Sequence, residues 1–172
     1  SQAAGSDLAA IKYTADALSE AGNQAKAQIV YNLYLEALVN SMAENKEAEL
    51  ISLAQELAYR DAAACNPYLA EEIFKKIKEL NPDYVFNEET QYLRAYNLEK
   101  MKDYAGSQRE YLVLVNKYPD TLHYGEALFK AGAISAYALG DISAAQGYFT
   151  RLIDSGKSYP QVFASIYQMG LI

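Results

Sequence analysis

The stretch from Asn87 to Asp120, NEETQYLRAYNLEKMKDYAGSQREYLVLVNKYPD, decides the fold. It contains two amphipathic segments joined by a Lys-Asp-Tyr corner at residues 102–104, and a Tyr-Pro-Asp turn at residues 118–120 closes it. An amphipathic pattern of this length is typical of an α-helix with one face in a core. The stretch therefore predicts a hairpin of two antiparallel helices.

Close packing of two helices requires small side chains where they cross, and a bulky side chain of the second helix then fills the gap. In this stretch Ala95 and Ser107 are the small residues, Tyr111 is the bulky one, and Leu114 follows one turn later. Three further sets have the same spacing: Ala15, Ala27, Tyr31 and Tyr34; Ala58, Ala70, Phe74 and Ile77; and Ala133, Ala145, Phe149 and Leu152. The chain is thus predicted to be a tandem helical repeat.

The first small residues of the four sets are 43, 37 and 38 residues apart. Two helices in a period of this size resemble the tetratricopeptide repeat, whose period is about 34 residues. The resemblance covers nearly the whole chain and is strongest between Pro67 and Pro160, where residues 70–83 (AEEIFKKIKELNPD) look like the second half of a family repeat. The tryptophan that the family has early in its first helix is absent from the chain.

The resemblance implies an all-α fold, a right-handed α-solenoid of about four tetratricopeptide-like hairpins followed by a C-terminal helix. We expect the solenoid to span residues 7–160, in repeats of about 8–50, 51–87, 88–125 and 126–160. Residues 1–6 (SQAAGS) are expected to be disordered or left from cleavage, and residues 161–172 to form a capping helix or the first helix of a truncated repeat.

Composition favours some function classes and disfavours others. The 172 residues are 51% apolar, enough for one solenoid domain. A formal net charge of −7 disfavours a nucleic-acid-binding surface, because backbone phosphates would be repelled. No stretch approaches the roughly 20 apolar residues that a membrane span needs. Cys65 is the single cysteine, so neither a disulfide framework nor a two-thiolate metal site is expected.

The sequence offers no constellation for catalysis. His123 is the single histidine and lacks a nucleophile or second ligand placed with it by sequence. The carboxylate pairs at residues 71–72 and 88–89 fall at helix starts, where the helix dipole favours negative charge. Glycines are isolated and form no phosphate-binding loop. We therefore expect a protein that is not an enzyme and has no catalytic residue, cofactor or metal.

Tyrosine is in excess, with 16 residues against no tryptophan. In tetratricopeptide solenoids the first helix of each repeat lines the concave face, and the resemblance carries those positions onto Tyr59, Tyr92, Tyr96, Lys130, Ile134 and Tyr137. Tyrosine provides a large contact area at low entropy cost and a hydroxyl for a peptide backbone. These residues are a candidate groove for a partner peptide or protein segment. Alternatively, several of the rings close gaps between repeats and the face is not used.

The pattern of aromatic residues in the segment 104–149 resembles that in the repeats of bacterial cell-envelope proteins of the outer-membrane-assembly and cell-division-coordinator type. That resemblance implies a protein–protein interaction scaffold in the periplasm, within a larger protein. The alternative is a cytoplasmic tetratricopeptide-type secretion chaperone that holds an export substrate. Residues 161–172 keep Phe163, Ile166 and Met169 on one side, so we also expect self-association through this segment.

Overall fold

The computed structural model describes residues 2–42, 45–58 and 65–172, and their side chains from residue 7 onward. The chain divides into two compact units, Ser1–Tyr84 and Val85–Ile172. Regular structure in the described residues is helical throughout, and they contain no strand. The predicted all-α fold of helical hairpins is confirmed.

The first unit contains two helical hairpins. The helices are α1 (Gln2–Glu20), α2 (Gln24–Ser41), α3 (Lys46–Leu57) and α4 (Pro67–Leu80). Helix α1 packs on α2, α3 packs on α4, and α2 also contacts α4. Helix α1 begins at Gln2 and so includes residues 2–6, which were expected to be disordered or left from cleavage. Alanine at positions 3 and 4 has the highest intrinsic helix propensity, which accounts for the longer helix.

The second unit contains two hairpins and a final helix. The helices are α5 (Glu88–Lys100), α6 (Tyr104–Lys117), α7 (Tyr124–Ile134), α8 (Ile142–Ile153) and α9 (Gln161–Leu171), and α7 continues into a π-helical turn at Ser135–Leu139. Helix α5 packs on α6, α7 packs on α8, and α6 also contacts α7. Helix α9 packs on α8 and α7, where the sequence predicted a C-terminal helix.

The two hairpin corners of the second unit have the same local structure. Lys102 and Gly140 both adopt the left-handed conformation, with φ of 64° and 71°. The residue after each is an aspartate, and its carboxylate accepts a hydrogen bond at 2.9 Å from a backbone N–H three residues later. These N-caps satisfy donors that a helix start leaves without a partner. The corners therefore fix the starts of α6 and α8, 38 residues apart.

The repeated sets of small and bulky residues form the cores of the hairpins. At the crossing of α5 and α6, the Ser107 hydroxyl donates to the Ala95 carbonyl oxygen at 2.9 Å. Tyr34 and Ala133 are only partly buried. The other fourteen members are fully or almost fully buried: Ala15, Ala27, Tyr31, Ala58, Ala70, Phe74, Ile77, Ala95, Ser107, Tyr111, Leu114, Ala145, Phe149 and Leu152.

The exception at Ala133 has a structural cause. A Cβ added to Gly132 would lie 2.5 Å from Cε1 of Phe149, so Gly132 is the residue of α7 against which this ring packs. Gly132 follows Ala95 by 37 residues, whereas the hairpin corners are 38 residues apart. The π-helical turn absorbs the difference, because such a turn inserts one residue into a helix. The prediction that Ala133 lies at the crossing is therefore wrong by one residue.

Helix α9 has apolar residues on both sides. Val162, Met169 and Ile172 pack against the cores of the preceding hairpins, so the expectation that Met169 shares a side with Phe163 and Ile166 is wrong. The opposite side exposes Phe163, Ile166, Tyr167 and Leu171 to solvent, with Phe163 at 82% exposure. None of the helices in the described part of the chain, α9 included, combines the length and the apolar character that a membrane crossing requires.

Candidate protein-binding surface

We define the α5–α7 face as the side of the second unit where side chains of α5 meet those of α7 and of the residue that precedes it. Asn87 starts α5 by accepting a hydrogen bond from the Thr90 N–H at 2.8 Å. Spacings of three and four residues then place a set of side chains on one side of each helix. The members of the face are Glu89, Tyr92, Tyr96 and Glu99 of α5, together with His123, Glu126 and Lys130.

Tyr92 is at the centre of a group of stacked rings. Its ring is parallel to the His123 imidazole within 10°, with centroids 3.9 Å apart. It also stacks on Tyr96 at 6.4 Å and meets Tyr111 at 6.1 Å in a tilted arrangement. The His123 Nε2 lies 3.0 Å from a carboxylate oxygen of Glu89, which holds the imidazole over Tyr92. The two tyrosine pairs lie in the centroid range in which aromatic pairs contribute about 0.5–1.5 kcal/mol beyond burial. The stack on His123 links Tyr92 of the first hairpin to the residue that precedes α7.

A polar network centred on Glu99 lies beside these rings. One oxygen of Glu99, Oε2, accepts hydrogen bonds from the Tyr111 hydroxyl at 2.8 Å and from the Lys130 ammonium at 2.7 Å. The same ammonium is 5.0 Å from the centroid of Tyr96, within cation–π range, and 3.9 Å from Glu126. The ammonium also lies 5.8 Å from the centroid of Tyr111, so Lys130 of α7 contacts four residues, two of which belong to α5.

Two tyrosines of this region resist ionisation. Burial raises the pKa of the Tyr92 hydroxyl above its ordinary value, and its hydrogen bond to Glu126 acts in the same direction. Burial also raises the pKa of Tyr111, and the Glu99 carboxylate adds to the effect. A hydroxyl that is removed from water and donates to a carboxylate is stabilised in its neutral form. Both side chains therefore act as hydrogen-bond donors near neutral pH.

Three of the six predicted partner-binding residues come together on this face. Tyr92 and Tyr96 stack on each other, and Lys130 lies over the ring of Tyr96. Tyr92 and Lys130 also bridge the two hairpins, through His123 and Glu99 respectively. Tyr59 lies outside the described residues.

The other two predicted residues lie at the end of α7 and in the π-helical turn that follows it. Ile134 is only 7% exposed and joins the core around Leu128 and Ala131, so its expected position on the surface is corrected. Tyr137 is 62% exposed and lies within the turn. Neither residue therefore joins the α5–α7 face.

Sequence reasoning missed four members of the face. Glu89 and Glu99 lie three residues before Tyr92 and three residues after Tyr96, a spacing that places them on the same side of α5. That signal could have identified both carboxylates. Glu126 and His123 are paired with α5 only by the packing of two hairpins, and no local pattern indicates this.

A cleft of about 320 Å³ adjoins the face at the end of α7. Its lining residues are Glu99, Tyr104, Ala133, Ile134, Tyr137 and Ala138. Tyr104 and Tyr137 both expose more than a third of their surface. The Tyr137 hydroxyl donates a hydrogen bond to the side-chain oxygen of Gln168 on α9. Glu99 thus belongs to both the face and the cleft.

The first unit has a smaller polar cluster of its own. The Tyr31 hydroxyl donates to Asp16 at 2.8 Å, and the Asn66 side-chain amide donates to both, at 2.9 Å each. Burial raises the pKa of Tyr31 to about 12, and the Asp16 carboxylate adds to the effect. Across the described part of both units, no group of three or more histidine, cysteine, aspartate or glutamate residues is arranged to hold a metal ion.

Comparison with known protein families matches residues 89–121 and 126–155 to the tetratricopeptide repeat. The two matches coincide with the α5–α6 and α7–α8 hairpins. Among curated proteins, none is similar enough to count as a match. Repeats of this kind serve as protein-interaction scaffolds and are typically non-catalytic. The second unit therefore carries two tetratricopeptide-like repeats in an all-helical chain, an architecture that indicates a protein–protein interaction scaffold.

Proposed function

We propose that the protein is a non-enzymatic scaffold that binds a peptide or protein segment of a partner on the α5–α7 face. The observation that supports this most directly is the continuous stack of Tyr96, Tyr92 and His123. Lys100 and Lys130 lie 5.0 Å from the ring of Tyr96, so its orientation is fixed before any partner arrives. A rigid aromatic surface loses little conformational entropy on binding, which favours affinity.

Selection of a peptide library on the immobilised full chain tests the proposal without knowledge of the natural partner. Enriched peptides are measured by fluorescence polarisation against the wild type and a Tyr92→Ala, Tyr96→Ala double variant. We expect the double variant to bind at least about tenfold more weakly, a loss of about 1.4 kcal/mol. Tyr13→Ala is the matched control, because Tyr13 is 76% exposed on α1. Equal binding by a folded double variant would place the interface elsewhere.

We also propose that the scaffold works in a bacterial cell envelope, within a larger protein. The resemblance of residues 104–149 to envelope-protein repeats supports this location over that of a cytoplasmic secretion chaperone. Fractionation of cells that produce the full-length gene product, with marker enzymes for each compartment, tests it. Recovery in the cytoplasmic fraction would favour the chaperone.

Self-association through α9 is a further part of the proposal. The exposed side of the helix presents Phe163, Ile166, Tyr167 and Leu171, a row of large apolar side chains. Burial of such surface in a dimer is favourable by about 25 cal/mol per Å². Light scattering should give a monomer for a Phe163→Glu, Tyr167→Glu double variant and a larger mass for the wild type and for Tyr13→Glu. A monomeric wild type at high concentration would contradict this expectation.

A further inference from the structure

The cleft between Tyr104 and Tyr137 has the size and chemistry of a site for one side chain. Its volume of about 320 Å³ is at the small end of the roughly 300–1,000 Å³ typical of ligand pockets. Ala133, Ile134 and Ala138 provide an apolar floor, while the two tyrosines provide exposed rings. The one ionisable group besides the tyrosines is the Glu99 carboxylate.

The π-helical turn builds one wall of the cleft. Two lining residues, Tyr137 and Ala138, belong to the turn itself. Its Ser135 hydroxyl donates to the Ala131 carbonyl at 2.8 Å and accepts a hydrogen bond from Gln108 of α6 at 2.5 Å. The turn is therefore held by a neighbouring helix. Single π-helical turns in α-helices are rare and frequently occur at functional sites.

Glu99 retains the capacity to bind a cation. Its Oε2 accepts hydrogen bonds from Tyr111 and Lys130, whereas no donor in the described residues bonds to its Oε1. The Lys130 ammonium lies between two carboxylates, 2.7 Å from Glu99 and 3.9 Å from Glu126. Glu99, Glu126 and Lys130 together carry one net negative charge, and the Lys100 ammonium near Tyr96 offsets it only weakly because Lys100 is exposed to water. A second cation at Glu99 would therefore be attracted.

The tyrosine rings of the cleft are suited to the same cation. A cation over an aromatic face gains about 0.5–2 kcal/mol, depending on its exposure to water. Tyr96 of this unit already has two lysine ammonium groups at 5.0 Å from its centroid. The chain as a whole carries a net charge of −7, which favours a basic partner segment.

We infer that the cleft binds the guanidinium group of an arginine side chain in the partner segment. The planar group stacks on Tyr104 or Tyr137, and one of its N–H groups donates to Oε1 of Glu99. Arginine fits better than lysine because guanidinium is planar, more weakly hydrated and able to stack while it donates hydrogen bonds. The inference rests on the proposed function, since it names the residue of the partner that this part of the surface selects.

Nuclear magnetic resonance on the ¹⁵N-labelled full chain tests the site with a defined probe, N-acetyl-arginine amide. We expect shifts of the amides of Tyr104, Tyr137 and Ala138, and at least about tenfold weaker binding of N-acetyl-citrulline amide, which has the same shape without the charge. Tyr137→Ala should weaken arginine binding at least fivefold, and Ala133→Leu should block it by filling the cleft. Tyr13→Ala is the control, because Tyr13 is 76% exposed on α1 and belongs to neither proposed binding surface.

An absence of shifts in the cleft at 20 mM probe, roughly the range expected for so small a ligand, would overturn the inference. Equal binding of the citrulline probe or of N-acetyl-leucine amide would also overturn it, in favour of an uncharged side chain. Failure of the arginine site alone differs from failure of the scaffold proposal. Library peptides that lose affinity in the Tyr92→Ala, Tyr96→Ala variant but not in Tyr137→Ala would overturn the arginine site and support the interaction surface. Library peptides that bind the folded double variant as tightly as the wild type would overturn the interaction surface itself.

Discussion

The two hairpins of the second unit place a pair of aromatic rings between their helices with nearly the same geometry, but the chemistry of the two pairs differs. In α5–α6 the first helix meets the second through Tyr92 and Tyr111, with centroids 6.1 Å apart and planes at 55°. In α7–α8 the same positions are Phe129 and Phe149, at 5.8 Å and 45°. The ring geometry is nearly the same, but only the first pair carries hydroxyl groups.

The hydroxyl groups of the first pair determine where charged side chains come together in the second unit. The hydroxyls of the first pair are bonded to the carboxylates of Glu126 and Glu99, which in turn hold Lys130. The phenylalanine pair of the second hairpin has no polar group, and Phe149 packs against Gly132. One packing arrangement thus carries a polar network in one repeat and an apolar ring contact in the next.

The largest expected effect tests the register of the second hairpin. Three ring atoms of Phe149 lie within 3 Å of the position that a Cβ on Gly132 would take, at 2.5, 2.8 and 2.9 Å. Gly132→Leu should therefore lower the free energy of unfolding by about 3 kcal/mol, the upper end of typical overpacking costs. Ala95→Leu at the corresponding crossing of the first hairpin should cost about 1–3 kcal/mol.

Ala133→Leu is the matched control in urea denaturation, because Ala133 lines the cleft and has room beside it. We expect its effect to be within about 0.5 kcal/mol, as for substitutions outside a packed core. A larger loss for Ala133→Leu than for Gly132→Leu would show that the π-helical turn does not shift the register.

The next largest expected effect is a dependence of stability on pH that arises in the first hairpin of the second unit and not from the corresponding ring of the second. Tyr111 has a pKa raised by burial and by Glu99, so it keeps its proton in the folded chain above pH 10, where an unfolded tyrosine loses it. Its contribution to stability is thus fully present below pH 10 and is lost as pH rises above that value, by up to about 1.4 kcal/mol per pH unit. Phe149, in the second hairpin, cannot titrate.

Tyr111→Phe should therefore flatten the alkaline decline in stability, measured by urea denaturation between about pH 9 and 11, a range around the ordinary tyrosine pKa. Tyr31→Phe in the first unit should act in the same direction, because the pKa of Tyr31 is raised to about 12. Tyr13→Phe serves as the control, since Tyr13 is exposed. An unchanged slope in Tyr111→Phe would mean that its hydroxyl is not shielded from water.

The smallest expected changes in stability are those caused by substitutions at the two hairpin corners of the second unit. Lys102 and Gly140 have nearly the same positive φ, which is unfavourable for lysine and natural for glycine. Gly140→Ala should cost about 1 kcal/mol from the backbone alone, because a Cβ there would meet nothing within 4 Å. Lys102→Gly should be neutral or should stabilise by a few tenths of a kcal/mol. Thermal unfolding of both variants checks this, and a stabilising Gly140→Ala would contradict it.

Much of the fold could be predicted because its determinants are local. The small and bulky residues that set each crossing lie 12 and 16 residues apart, within one hairpin, and fourteen of the sixteen are buried. This holds in the first unit as well, where the family comparison matches no segment and Ala58, Ala70 and Phe74 are nevertheless fully buried. Steric requirements at a helix crossing restrict residue size so strongly that sequence spacing alone reveals them.

The sequence by itself thus determined the helices, their hairpins and the tyrosines Tyr92 and Tyr96 of the candidate surface. Only the tertiary structure decided that His123 stacks on Tyr92 and that Lys130 binds Glu99, since each pair is 31 residues apart along the chain. It also decided that Ile134 is buried and that Tyr137 lies within the π-helical turn. A single residue inserted by a π-helical turn leaves the composition and amphipathic pattern of a helix almost unchanged, yet it turns every following side chain relative to its neighbours.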